Sequence, residues 1–158
     1  MEAARLGKIK QTINNFEEFP IQYHDELIEG ITLKHAVQHM CHYSDQSLFL
    51  TLHEKLCNSK HTFEPSTAQQ LPSYFKNDFE KCTETSFEQK VPLSQTFKIK
   101  FTHPPPQKKF MVPDNLSQEE EYTVFFCSPN KVIRRSFNQG RGYPYADSFY
   151  TEQLMTLE

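Results

Sequence analysis

Apolar residues in the first part of the chain recur at every third or fourth position, which is the spacing of one face of an α-helix. This pattern predicts a first helix that ends at or just before Pro20. A second helical region is predicted from Asp25 onwards, broken or weakened by Gly30. The apolar positions of the two helices are Leu6, Ile9, Ile13 and Phe16, followed by Leu33, Ala36, Val37 and Met40.

Two further helices are predicted before the middle of the chain. The stretch YSDQSLFLTLHEKL, residues 43–56, has a helical apolar face and can be capped by Ser44 or Asp45. Residues 58–73 have the composition of a loop. Ser73 can cap a short helix after that loop, whose apolar residues are Phe75, Phe79 and Cys82.

The apolar period changes from about 3.6 to 2 after Val91, which marks the change from helices to strands. The predicted strands are QTFKIKFT (95–102), EEYTVFFCS (120–128), KVIRRSF (131–137) and YADSFYTEQLMTLE (145–158). The second of these is apolar on both faces and is expected to be central. Residues 103–109 and 138–144 read as loops, and the run Glu119–Glu121 is expected to be solvated.

Because the strands cluster instead of alternating with helices, the predicted class is α+β, with N-terminal helices packed on a C-terminal antiparallel meander. The chain of 158 residues is expected to form one domain, with a helical part over 1–90 and a sheet part over 91–158.

Composition narrows the functional classes. The net charge of −3 argues against a general nucleic-acid surface, and nothing in the sequence calls for a cofactor. The N-terminal MEAARLGKIK lacks the apolar run of a secretory signal, and no stretch has the length and apolarity of a membrane span. The four cysteines form no CxxC pair. We therefore expect a cytoplasmic protein with free thiols.

Histidines at helical spacing are the candidate metal ligands. The set is His35, His39, His42, His53 and Cys57. Imidazole and thiolate groups one turn apart can begin a zinc site. A histidine stripe opposite an apolar stripe is equally typical of a solvated helix face, and that interpretation is favoured. The chain has no GxSxG nucleophile elbow and no glycine-rich phosphate loop, so an enzyme is not the expected class.

The segment GYPYADSFYTEQLMTLE combines a rigid aromatic turn with a strand. Pro144 fixes the turn, and Asp147 or Ser148 can bond to the local backbone. Pro144, Tyr145, Asp147, Phe149, Tyr150 and Thr151 resemble a turn of StAR-like lipid-binding domains of the VASt or Aster type. The placement of FKIKFTHPPPQKK is similar to a strand and loop of that family. The resemblance covers residues 96–158.

The resemblance implies a sheet curved around an apolar cavity that binds a lipid or sterol, with peripheral membrane contact. The family domain continues with more strands and a long helix, whereas this chain stops at Glu158, as expected for a shortened version or for a sheet that another chain completes. The implied lining is Phe97, Ile99, Phe101, Val124, Phe126, Pro144, Tyr145, Phe149 and Met155. The same residue types suit a packed core.

Three functions stay open at this point. The leading one is a non-enzymatic intracellular module that binds a lipid or sterol. The second is a protein-interaction adaptor, in which Tyr150 and Leu154 lie on an exposed sheet edge that pairs with a partner. The third is a zinc-binding or thiol enzyme. The sequence does not choose the oligomeric state.

Overall fold

The structure is a computed structural model, and it describes residues 2–13, 25–41, 51, 60–62, 84–105 and 113–158. The helices within these ranges are α1 (Glu2–Thr12), α2 (Leu33–Met40) and α3 (Glu84–Lys90). The strands are β1 (Lys60–Thr62), β2 (Ser94–His103), β3 (Leu116–Ser128), β4 (Lys131–Arg141) and β5 (Tyr150–Leu157). A 3₁₀ turn, Ala146–Ser148, precedes β5.

The strands form one antiparallel sheet in the order β1-β2-β3-β4-β5, so each lies beside its neighbours in sequence. The α+β class and the C-terminal meander are confirmed. The loop predicted over 58–73 is wrong at Lys60–Thr62, which pair with β2 in the register Lys60↔Thr102 to Thr62↔Lys100. Three residues are too few to show an alternating pattern, so this strand could not be predicted from local composition.

Both faces of the sheet are covered at one end, and we name each face by the helix that packs on it. The α2 face carries Phe97, Ile99 and Phe101 of β2, Tyr122, Val124 and Phe126 of β3, and Val132 of β4. These residues pack with Val37 of α2 and with Phe87 of α3. Cys41 and Val91, the residues that directly follow these two helices, belong to the same cluster. The α1 face carries Phe125, Cys127 and Ile133 beneath Ile9 and Ile13. β3 is therefore central, as its doubly apolar sequence predicted.

Arg5 ties α1 to the rest of the chain. Its Nε donates to the carbonyl oxygen of Phe126 over 2.9 Å, and its Nη2 donates to those of Val91 (3.2 Å) and Pro92 (2.8 Å). The guanidinium carbon also lies 5.1 Å from the centre of the Phe87 ring. One side chain thus joins α1 to β3 and to the connection between α3 and β2.

The second predicted helix starts later than expected. Residues 25–32 are not helical, and α2 begins at Leu33 after Thr32. The Thr32 side chain accepts a hydrogen bond from the backbone N–H of His35, which is an N-cap. Gly30 has a φ of 78°, a left-handed conformation that a helix does not allow. Of the two predicted effects of Gly30, the structure therefore shows the break, and α2 begins only after it.

Two strands are longer than predicted. β3 begins at Leu116, so Glu119–Glu121 lie within it, and Glu120 is buried rather than solvated. β4 continues to Arg141, although residues 138–144 were predicted as a loop. Gly140 pairs with Gln118 of β3 in this extension. Cross-strand pairing holds these polar residues in extended conformation, and polar composition alone did not reveal it.

Some predicted elements lie outside the described residues, namely the helix over 73–82 and all of the helix over 43–56 except Thr51, which is helical. Phe16 and most of the 103–109 loop lie outside them as well. In the described ranges, no helix combines the length and apolarity needed to cross a membrane.

Candidate functional site

The nine residues implied as a ligand lining separate into two groups. Five of them, Phe97, Ile99, Phe101, Val124 and Phe126, lie buried on the α2 face, and Met155 packs against the same cluster from β5. The other three, Pro144, Tyr145 and Phe149, are exposed on the turn between β4 and β5. Within the part of the chain that the structure describes, the buried group and the exposed group therefore do not meet in one cavity.

The α2 face is densely packed in the part that the structure describes. The rings of Phe97 and Tyr122 stack, with centroids 4.9 Å apart and planes at 10°. Val37 and Phe87, from the two covering helices, are fully buried in the same cluster. These residues act as the sheet-to-helix core here. The prediction that they line a lipid cavity stays a prediction.

A buried ion pair lies on the same face. Arg134 Nη2 is 2.7 Å from Glu120 Oε1, and both residues are less than a tenth exposed. The Arg134 guanidinium also lies 4.8 Å from the centre of the Tyr122 ring. A carboxylate and a guanidinium that neutralise each other can remain charged in a core, whereas either alone would be strongly destabilising. The pair links β3 to β4 across the sheet.

The α1 face beyond α1 forms a shallow groove of about 360 Å³. It is lined by Lys98, Glu119, Glu121, Thr123, Arg135, Phe137, Gln139 and Arg141. Lys98 Nζ is 2.9 Å from Glu121 Oε2, and Arg141 Nε is 3.6 Å from Glu119 Oε2. Arg135 pairs with Glu152 of β5. Because each of these cations has a carboxylate beside it, the groove offers no surplus charge to an ionic ligand, and it resembles the water-facing side of a sheet.

The aromatic turn is fixed by local hydrogen bonds. The backbone N–H of Ala146 donates to the Tyr143 carbonyl (3.1 Å), and that of Ser148 donates to the Tyr145 carbonyl (3.0 Å). Arg141 Nη1 donates to Asp147 Oδ1 over 3.0 Å. Tyr145 has a φ of 64°, left-handed and unusual for a bulky residue, and its side chain is 79% exposed. The turn thus holds a tyrosine in a strained conformation, pointing to solvent.

Strand β5 forms one edge of the described sheet. Its eight residues pair with β4 from Gln139↔Tyr150 to Val132↔Leu157 without a bulge. Thr151 and Gln153 are exposed, and so are Phe149 and Tyr150, each 59% accessible. Tyr150 stacks on Phe137 with ring centroids 4.8 Å apart. The predicted edge strand bearing Tyr150 is therefore consistent with its position, whereas Leu154, which the same prediction placed on the exposed edge, is half-buried against the cluster of the α1 face.

The candidate metal ligands are only partly described. His35 and His39 lie on the exposed side of α2, opposite the buried Val37, as a solvated stripe requires. His42, His53 and Cys57 lie outside the described residues. Among the side chains that are described, no group of three or more His, Cys, Asp or Glu is placed to hold a metal ion.

Two free thiols, Cys41 and Cys127, are buried in the two core clusters. Burial raises the pKa of Cys41 to about 12, an effect that Arg134 partly opposes. Burial likewise raises the pKa of Cys127 to about 11. Thiols with raised pKa values are poor nucleophiles at neutral pH, so neither has the chemistry of a catalytic cysteine.

Sequence reasoning missed the polar residues of the core. Arg134 follows Val132 at the strand period, and Glu120 precedes Tyr122 in the same way. The strand period therefore places one acidic and one basic residue at core-facing positions of neighbouring strands. This pattern could have predicted a buried ion pair. Arg5 gave no such signal, because its acceptors are backbone carbonyls far away in sequence.

Comparisons of the chain with protein-family models, with curated proteins and with solved structures find no match.

Proposed function

We propose that this chain is a protein-binding module without a catalytic role, which receives an extended segment of a partner protein along the outer edge of β5. The observation that carries the proposal is the regularity of that edge. All eight residues of β5 pair with β4 on one side, and no described strand pairs with them on the other. The N–H and C=O groups of such an edge are a template for one more strand.

Proteins keep a free strand from pairing by several means, which include an edge lysine, a proline, a bulge or a covering helix. The sequence YTEQLMTL contains neither lysine nor proline, and its register to β4 is continuous. β1, at the opposite edge of the described sheet, has only three residues. Short length limits pairing at β1, whereas the eight residues of β5, of which Glu152 alone is charged, form the longer edge of the described sheet.

The aromatic turn supplies anchors beside this edge. A bulky residue in the left-handed region costs about 1–2 kcal/mol, and glycine at position 145 would avoid that cost. Tyr145 bears the strain while its ring is exposed, so the ring adds little to the packing of the described residues. Strain held at an exposed tyrosine is consistent with contact to a partner, since tyrosine is enriched in binding hot spots.

Position-specific photocrosslinking tests the proposal. A photoreactive amino acid replaces Gln153 on the β5 edge or, as the matched control, Lys8 on the exposed side of α1. Cells that express the full chain are irradiated, and crosslinked peptides are mapped by mass spectrometry. We expect crosslinks to one extended protein segment from position 153 and not from position 8. Equal, scattered crosslinking from both positions would refute the proposal.

Tyr145→Gly separates binding from folding. Because glycine adopts a positive φ without strain, this variant should be as stable as the wild type or up to about 1 kcal/mol more stable. Crosslinking from position 153 should nevertheless fall, since the aromatic anchor is gone. Unchanged crosslinking would remove Tyr145 from the binding surface.

The lipid interpretation remains a prediction, and native mass spectrometry of the purified chain addresses it. A bound mass of lipid size at one per chain would favour a lipid-binding role. A chain without such a mass that still crosslinks through the β5 edge would favour the protein-binding role.

A further inference from the structure

We propose that the segment received by the β5 edge is β5 of a second copy of this chain, so that two copies pair antiparallel about a two-fold axis at Gln153. This inference rests on the proposed function, because it names the partner of the same edge. Such an interface is isologous: each residue meets the residue equally far from Gln153 on the other side. The two described sheets would then continue into one another.

Charge restricts the possible registers. Glu152 and Glu158 are the charged residues of the extended segment 149–158. An axis at Glu152 would place that carboxylate opposite its own copy, and an axis at Met155 would place Glu152 opposite Glu158. Like charges directly opposite one another destabilise a strand pair, and the pairing of these carboxylates with Arg135 and Lys131 reduces that cost without removing it. Among the central positions of the strand, axes at Gln153 and Leu154 avoid both conflicts.

The exposed Phe149 decides between these two registers. Its backbone is extended, with φ −146° and ψ 151°, so it can continue β5 by one residue. An axis at Gln153 places Phe149 opposite Leu157 twice, once at each end of the interface. An axis at Leu154 leaves Phe149 without a partner in the other copy and places Glu158 opposite Tyr150. Contact with Leu157 would remove the exposed Phe149 ring from water, so the geometry favours Gln153.

The remaining pairs of this register are compatible. Thr151 meets Met155 on the α2 face, and Tyr150 meets Thr156 on the α1 face. Glu152 lies opposite Leu154, but its carboxylate is already paired with Arg135 of its own chain. No uncompensated charge is therefore buried. One strand pair gives a small interface, for which we expect weak association, on the order of micromolar.

The axis residue allows a direct test with the full chain. Gln153 is exposed, so Gln153→Cys should leave the fold intact and, at a two-fold axis, bring the new thiol to its own copy within disulfide range. Under mild oxidation we expect a covalent dimer well above the wild-type background. Thr151→Cys, on the same strand and equally exposed, is the matched control, because its counterpart is Met155 and not itself.

Charge variants at the axis give a second readout that does not use thiols. Gln153→Lys and Gln153→Glu each place like charges opposite one another, so each should weaken the dimer at least tenfold in sedimentation velocity. An equimolar mixture should recover a dimer, because lysine then faces glutamate. Recovery in the mixture would also show that both variants are folded.

The outcomes distinguish the two proposals. A wild-type chain that is monomeric at about 100 μM, or a dimer that Gln153 substitutions leave unchanged, would overturn the second-copy pairing. If position 153 still crosslinks to another protein in those cases, the proposed edge binding stands with a different partner. If it crosslinks to neither, both proposals fail.

Discussion

Arg5 joins three separate parts of the chain, and its replacement tests whether α1 is held by this one side chain. Arg5→Met keeps most of the length and the apolar stem of the side chain but removes all three hydrogen bonds. The lost bonds are those from the guanidinium to the carbonyl oxygens of Phe126, Val91 and Pro92, at 2.9, 3.2 and 2.8 Å. The Pro92 carbonyl is only partly buried, so water can replace the guanidinium there.

The other two bonds set the expected magnitude. Hydrogen bonds of a charged donor to buried acceptors contribute about 1.5–3 kcal/mol each, and a buried carbonyl left without its donor adds a similar penalty. Because the bonds share one side chain, their losses are not additive. We therefore expect Arg5→Met to lower the free energy of unfolding by about 3–5 kcal/mol. Arg5→Lys should lose about half as much, because a single ammonium group reaches fewer of the three acceptors.

Urea denaturation followed by far-UV circular dichroism measures these differences, since the chain has no tryptophan. The m value, which is the slope of the free energy of unfolding against urea concentration, should stay unchanged if α1 unfolds together with the sheet. Lys8→Met, an exposed change on the same helix, is the control and should stay within about 0.5 kcal/mol of the wild type. If Arg5→Met also stays within that range, the argument that Arg5 anchors α1 is wrong.

Three further predictions concern the strand end, the core ion pair and the thiols. Gly140→Ala should lower the free energy of unfolding by about 1–3 kcal/mol, because a Cβ at that position would overlap the Tyr143 hydroxyl. Gly7→Ala is the control: its Cβ would meet open space on α1, so this change should be neutral or stabilising. Equal effects of the two changes would contradict this reasoning. Glu120→Leu should lower the free energy of unfolding by about 3 kcal/mol, because it leaves the Arg134 cation buried without its partner. Adding Arg134→Met removes that cation and should restore part of the lost stability. Additive losses in a double-mutant cycle would show that the two residues are not coupled. Burial raises the pKa of Cys127 from 9.0 to about 11 and that of Cys41 from 9.0 to about 12. The unfolded chain therefore loses these protons at lower pH than the folded chain, and the free energy of unfolding should fall between about pH 9 and about pH 12. Replacing both cysteines by alanine should flatten this fall, and an unchanged pH profile would show that the thiols do not contribute to it.

The exposed segment 25–31 is a second surface without a described role. Leu27 is 88% exposed, and Ile28 and Ile31 are about half exposed, next to the carboxylates of Asp25, Glu26 and Glu29. This mixture of aliphatic and acidic side chains is suited to a basic, apolar surface.

The sequence by itself determined the class of the fold, because that class depends on local patterns. Phe97, Ile99 and Phe101 alternate with polar residues and form β2, and the doubly apolar 124–126 forms the central strand. Leu6, Ile9 and Ile13 recur at helical spacing and place α1 on the sheet. In each case the period of the apolar residues matches the period of the backbone, so no knowledge of distant partners was needed.

Only the tertiary structure decided where the chain pairs and which polar residues are buried. β1 and the last residues of β4 are strands because neighbouring strands bind them, and their own composition does not favour that state. Glu120 and Arg134 remain in the core because each neutralises the other across two strands. Strand order likewise places β5 at an edge of the described sheet. The backbone angles show that Tyr145, next to that edge, is strained. These properties depend on contacts between residues distant in sequence, which a local pattern does not encode.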